Sequence, residues 1–248
     1  MINLAKQPPI TTTSSKQPPI TTTSSIGVVS FLDVLGWKGI WQRKQNAIHD
    51  LEKLVKSIRK QATQHSRGLK SHKDGISSPD TKVLIISDTI LIFTEASHEN
   101  ATPILDLHGL LCQHAIPDSI MKGIPIRGAT SFGEVILSNN NSIFAGKAID
   151  EAASWHEAGD WIGVFMSPTA SFVYKQGPDA KWIKNCPPIK NNVKLETFSV
   201  DWRSIDDKTQ LTDIKQSFCE LAPITPDIVK KFTNTINYLE ADPVDQES

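Results

Sequence analysis

Cysteine is scarce in this chain, and no charge of one sign dominates it. Its three cysteines, Cys112, Cys186 and Cys219, are far apart and odd in number. That fits neither a disulfide framework nor a zinc-binding spacing, and a reducing, cytoplasmic compartment is expected. The formal net charge of -1, with lysines scattered along the chain, gives no field for wrapping nucleic acid. No apolar run approaches the roughly 20 residues that a bilayer span needs, and the N-terminus lacks the basic-then-apolar pattern of a secretion signal. A soluble chain without nucleic-acid or membrane partners is expected. The seven histidines form no convincing cluster. His65 and His72 fall in a loop region, and His108 and His114 cannot face each other on an ideal helix. This argues against a histidine metal site and against a Ser-His-Asp triad.

What is present is an ordinary globular composition: 248 residues, 39% of them hydrophobic, enough for one compact domain with additions or for two small ones. Residues 6–15, KQPPITTTSS, recur unchanged at 16–25. With few large apolar groups to offset its ordering entropy, the segment 1–25 is expected to be a disordered arm. From Ile26 the pattern predicts a buried strand, IGVVSFLDVLG, then a helix over about 39–65 and a loop over 67–81. KVLIISDTILIFTEA predicts a hairpin turning at Ser87-Asp88. A helix over about 102–114 follows, then a strand pair in PIRGATSFGEVILS bent near Gly133, the helix GKAIDEAASWHEAG, the strand WIGVFMS and a short helix from Pro168. KLETFSVDW alternates as a strand, and the amphipathic segments 209–220 and 226–240 predict two outer helices. The fold class expected is α+β, a sheet with helices mostly on one face. Residues 26–202 form its main domain and 203–248 a helical extension.

Two carboxylates interrupt apolar strands: Asp33 in SFLDVLGW and Asp88 at the hairpin tip. A buried carboxylate without a partner costs several kcal/mol or takes up a proton, so two of them converging call for a cation. Oxygen ligands of this kind suit Mg²⁺ or Mn²⁺. Taken singly, Asp33 as a helix cap and Asp88 as an ordinary turn residue account for each equally well.

Together, four elements resemble the class III nucleotidyl cyclases over about residues 28–200. FLDVLGW (31–37) matches the family's F-x-D-I-x-G-F strand, and Ser87-Asp88 its Gly-Asp hairpin. RGATSFGEV (127–135) matches R-x-G-x-x-x-G-x-V, and GKAIDEAAS (146–154) matches G-x-x-V-N-x-A-x-R. The resemblance implies a ferredoxin-like βαββαβ core with an added hairpin and C-terminal helices. It implies a metal site of Asp33, Asp88 and the Val34 carbonyl holding two divalent ions, Mn²⁺ or Mg²⁺, on a nucleoside triphosphate. Arg127 and Lys190 would reach phosphate. A homodimer is implied, with sites shared between subunits, and so is closure of the 3′-hydroxyl onto the α-phosphate with release of pyrophosphate.

The departures from the family pattern concern specificity and rate. Where adenylyl cyclases carry a lysine and an acid that read the purine, this chain has Leu84 and Ile143. Leu and Ile leave the purine's edge unsatisfied. The chain most resembles, within the class, the bacterial pyrimidine cyclases of the Pycsar antiphage system, whose cyclic UMP or cyclic CMP activates a separate effector. UTP is the substrate expected, with CTP as the alternative. Phe31 belongs to the opening motif, and Trp37, Trp41 and Phe144 are candidates to narrow the base pocket. Asp150 replaces the family's ribose-orienting asparagine, and Ser154 its transition-state arginine, a change that leaves Lys147 or Lys190 as candidate substitutes. A cyclase-fold module that binds without turnover, and a purine cyclase with an unusual pocket, are the remaining alternatives.

Overall fold

The computed structural model describes residues 21–69, 80–138, 143–204, 211–220 and 226–241. The first repeat copy and His72 lie outside them. The strands are β1 (Thr22–Val34), β2 (Thr81–Ile86), β3 (Thr89–Glu95), β4 (Ile126–Ser138), β5 (Phe144–Ala145), β6 (Val164–Met166), β7 (Trp182–Asn185) and β8 (Thr197–Val200). The helices are α1 (Ile40–Arg43), α2 (Ala47–Leu69), α3 (Ala101–Met121), α4 (Lys147–Ala158), α5 (Pro168–Val173), α6 (Leu211–Glu220) and α7 (Pro226–Glu240). No helix among the described residues is long and apolar enough to cross a membrane.

The sheet order is β2-β3-β1-β4-β6-β8-β7, with β5 beside β4. Its first four strands, joined through α2 and α3, are the βαββαβ core with every neighbour antiparallel. β6 adds parallel to β4, and the β7–β8 hairpin closes that edge. Because successive side chains on a strand point to opposite faces, β1 feeds two cores. Val28, Leu32 and Val34 join Leu54, Ile58, Leu105 and Leu111 of α2 and α3. Val29 and Phe31 pack with Ala148, Ile149 and Ala152 of α4 on the other face. The helices thus lie mostly on one face, with α4 opposite, and Asp33 continues the Val29–Phe31 row toward α4.

Ser30, on the α3 side of β1, enters a polar cluster within the core. Its hydroxyl lies 2.8 Å from Nδ1 of His108 and 2.7 Å from Oγ1 of Thr130, and Nε2 of His108 lies 3.0 Å from Oγ1 of Thr94. Burial pushes the His108 pKa down to about 3, so the ring is neutral and offers one donor and one acceptor. Each buried hydroxyl thereby finds a partner, and β1, β3, β4 and α3 are cross-tied.

Several elements differ from expectation. β1 begins at Thr22, four residues earlier than Ile26, because Thr22–Ser25 pair with Val135–Ser138. The arm expected over 1–25 therefore ends in strand. The expected strand pair bent near Gly133 is instead one 13-residue strand, β4, in unbroken register with β1, Gly133 facing Gly27. The helix expected from 39 is split at Lys44–Asn46, and α2 runs past the expected end, so His65 is helical and contacts Gln61. α3 continues through Pro117 to Met121 because Ala115, Ile116 and Ile120 extend its buried face. β7 was not expected: its burial pattern alternates weakly, and it is set as a strand by pairing with β8. The outer helices α6 and α7 join the main core through Ile214, Phe218, Phe232 and Tyr238.

The β1–β4 contact is close enough to exclude a side chain at Gly128. A Cβ there would lie 2.5 Å from Cδ2 of Leu32 and 2.6 Å from the Phe31 carbonyl oxygen. Gly128→Ala is therefore expected to cost ~1–3 kcal/mol through overpacking, read as a lowered urea midpoint. An unchanged midpoint would contradict this packing.

Candidate active site

The site grows from the end of β1. Asp33 pairs in register with Thr89, the residue after Asp88, on one side and with Arg127 on the other. The Val34 N–H donates to the Asp88 carbonyl at 3.2 Å. Ser87, expected to stand for the glycine of the family's hairpin, adopts φ 59° in the turn. Asp33, Val34 and Asp88 are thus brought together, two carboxylates and a backbone segment at adjacent strand ends. Asp33 caps no helix: α1 has Gly39 at its N-cap and no side-chain cap bond. Asp88 does occupy a turn.

Burial raises the Asp33 pKa above its ordinary value. Arg127 and His156 oppose this and Asp88 adds to it. Arg127 Nη2 donates to Asp33 Oδ2 at a loose 3.4 Å. Nη1 is engaged elsewhere, with the Gly159 carbonyl at 3.0 Å and the Glu157 carbonyl at 3.3 Å, at the C-terminal end of α4, where a cation complements the helix dipole. Nε is buried without a partner. Arg127 is therefore a brace between Asp33 and the end of α4.

When ionised, Asp33 has only one loose cationic partner, Arg127 at 3.4 Å, and the oxygens around it are the hard donors a divalent ion takes. Among the described residues no group of three or more His, Cys, Asp or Glu side chains is placed to hold a metal. A cation here would rest on the two carboxylates and backbone oxygen, as in sites where substrate phosphates complete the shell. The residues present fit the group.

α4 carries the other candidates. Asp150 is exposed in its first turn, Lys147 is exposed beside it, and Ser154 Oγ donates to the Asp150 carbonyl at 2.7 Å. Lys190 lies in the loop between β7 and β8, and with Ser154, Trp155, Glu157, Ala158, Ile189 and Asn191 it lines a cleft of ≈ 470 Å³. Burial pushes the Lys190 pKa down, and the charges of Arg127 and Lys231 push the same way. Ser154 and Lys190 are brought together, and Arg127 stands between their cleft and the carboxylates.

The positions expected to face the base sit apart from that cleft. Leu84, Phe31 and Phe144 pack on the cluster around Val29, Leu91 and Phe93, with Phe144 edge-on to Phe93 at 5.5 Å. Ile143 is 39% exposed, its N–H held by Ser138 Oγ at 2.8 Å. Trp37 and Trp41 contact each other at 5.7 Å, Trp37 against the main core and Trp41 exposed. They are not joined to Leu84 or Phe144 in one cluster.

His156 escapes a search for histidine pairs. It is buried on α4, its ring 4.6 Å from that of Phe31, with Nδ1 bonded to the Ala153 carbonyl. Burial lowers its pKa, against the pull of Asp33. The available signal was the buried stripe Ala148, Ile149, Ala152, whose next helical position is His156.

The sequence matches no family model, and no curated protein matches it. Among solved structures, the catalytic core of a rhodopsin-guanylyl cyclase with converted specificity, in complex with ATPαS, superposes with a TM-score of 0.51 at 17% identity, covering 73% of this chain and 98% of that one. The adenylyl cyclase CyaB from P. aeruginosa gives 0.49 at 12% identity, covering 73% and 95%. The fold is that of the class III nucleotidyl cyclases.

Ionising Asp33 disfavours the folded chain, since a raised folded pKa removes stability as pH rises through the carboxylate range. Asp33→Asn is therefore expected to melt no lower than the parent at neutral pH without metal. Mn²⁺ should raise the melting temperature of the parent and leave Asp33→Asn unmoved; an equal rise in both would remove the carboxylate pair as a cation site.

Proposed function

We propose that this chain is a pyrimidine nucleotide cyclase that converts UTP to 3′,5′-cyclic UMP and pyrophosphate. The observation that carries the proposal is the convergence of Asp33 and Asp88, with Arg127, at adjacent strand ends of a cyclase fold. In the reaction the 3′-oxygen bonds to the α-phosphorus and the bond from that phosphorus to the β-bridging oxygen breaks. Pyrophosphate leaves, and the hydroxyl proton passes to solvent.

Asp33, Asp88 and the Val34 carbonyl would hold Mn²⁺ or Mg²⁺, which when bound supplies acidity to the hydroxyl and charge neutralisation to the phosphates. The protein's own contribution is positional and electrostatic. Arg127, fixed by two carbonyls, keeps a permanent positive charge beside Asp33. Lys190 offers a second cation across the Ser154 cleft. Asp150, exposed in the first turn of α4, is available to accept from a ribose hydroxyl.

Apolar packing supports the choice of a pyrimidine. Leu84, Phe31 and Phe144 pack together on one apolar cluster, and if these positions face the base, as proposed, they offer a purine edge no donors or acceptors. A smaller base asks less of them, and CTP is the alternative substrate. Two equivalent sites in a homodimer, and a separate effector that senses the cyclic product in antiphage defence, complete the proposal. A module that binds without turnover is the second reading, motivated by Ser154 in place of arginine.

The test is incubation of the purified protein with Mn²⁺ and each ribonucleoside triphosphate in turn, with products identified by mass spectrometry. Cyclic UMP that disappears in Asp33→Ala is expected; no cyclic product from any triphosphate would favour the binding module, and faster cyclisation of ATP or GTP would overturn the choice of base. Ser154 is exposed, so Ser154→Arg should fold and raise turnover ~10-fold or more if the absent charge donor limits rate. An unchanged rate would mean that another group already fills that role.

A further inference from the structure

The turn after α4 is held from three sides. The Gly159 carbonyl accepts from Arg127, and Gly159 bridges to Ile189. The next residue, Asp160, donates its N–H to the Pro188 carbonyl at 3.0 Å and accepts Nδ2 of Asn234 on its own carbonyl at 2.7 Å. Its side chain, 5% exposed, pairs with Lys230 Nζ at 2.8 Å and Lys231 Nζ at 3.4 Å. Two residues on, the Ile162 N–H donates to Thr235 Oγ1 at 2.9 Å. Residues 230, 231, 234 and 235 share one face of α7 by helical spacing. Asp160 thus joins the end of α4 to the segment leading into Lys190 through its backbone, and this turn to the C-terminal helix through its carboxylate.

The charges explain why an acid stands there. Arg127, Lys190, Lys230 and Lys231 gather around this turn, and Asp160 is the buried anion among them. Burial pushes the Asp160 carboxyl up, but the hydrogen bonds and charges of the two lysines outweigh it and leave the pKa low. Without the Asp160 carboxylate the turn would lose its ion pairs to α7, and the backbone bond to Pro188 that leads into Lys190 would lose the helix packed behind it.

We propose that Asp160 is a positioning residue. By latching α7 to the turn that leads into the Lys190 segment, it holds the Lys190 ammonium toward a polyphosphate-binding cleft beside Arg127, and α7 belongs to the catalytic apparatus. The identity of the anion as a polyphosphate rests on the function proposed above. The latch itself rests on the bonds just described.

The test is a double-mutant cycle in the full chain with Asp160→Asn, Lys190→Gln and the pair. It is read by calorimetric affinity for inorganic tripolyphosphate without metal, and by cyclisation kinetics. Asp160→Asn and Lys190→Gln should each weaken tripolyphosphate about tenfold, and the pair no more than the worse single variant, the non-additivity of groups acting as a unit. Losses that multiply in the pair, or parent affinity in Asp160→Asn, would overturn the positioning role. If Asp160→Asn does not fold, Asn234→Ala loosens the same latch more gently and should show a smaller loss that likewise vanishes in the Lys190→Gln background. Cyclisation by the parent alongside multiplying losses would sink this inference and leave the cyclase standing. Non-additive tripolyphosphate binding without cyclisation of any nucleotide would do the reverse.

Discussion

A carboxylate at the end of a central strand is the constraint around which this molecule is arranged. β1 lies between β3 and β4 with helices on both faces, so Asp33 leaves the core only at the strand's last turn. Its desolvation is only partly offset by Arg127, whose closest nitrogen is 3.4 Å away. A tighter pair would stabilise the chain more but would leave no demand for a further cation. The loose pair follows from the geometry of Arg127, whose other terminal nitrogen is held by carbonyls at the end of α4.

That division of one guanidinium links two regions that would otherwise be independent. On one side are the carboxylates at the ends of β1 and the β2–β3 hairpin. On the other is the cleft between α4 and the β7–β8 loop, where Ser154 and Lys190 meet. Asp160 continues the chain of contacts into α7. Arg127 and Lys190 lie between the carboxylate pair and Asp160, so the cations of this path have anions on both sides.

Much of the fold was legible because period and punctuation agree. The apolar run of β1, the Ser87-Asp88 turn and the amphipathic helices α2, α4, α6 and α7 each carry a local signal. Where local signal was weak, the reading failed for identifiable reasons. Gly133 looks like a bend in isolation, yet opposite Gly27 it lies in an unbroken ladder. Thr22–Ser25 have the composition of a linker, but free edge groups of β4 recruit them into strand. Pro117 looks like a stop, but the buried face of α3 continues past it.

For the site, residue types in sequence were sufficient to single out Asp33 and Asp88, because an acid in an apolar strand is conspicuous wherever the strand lies. They also marked Leu84 and Ile143 as apolar at the positions where the resemblance expects purine readers. Tertiary structure alone decided that Arg127 braces α4, that His156 lies against Phe31, that Ser154 and Lys190 line one cleft, and that Asp160 joins the outer helix to it. Those facts depend on contacts between residues far apart in the chain, and the energy of such contacts is set by distance and burial, which no local pattern records.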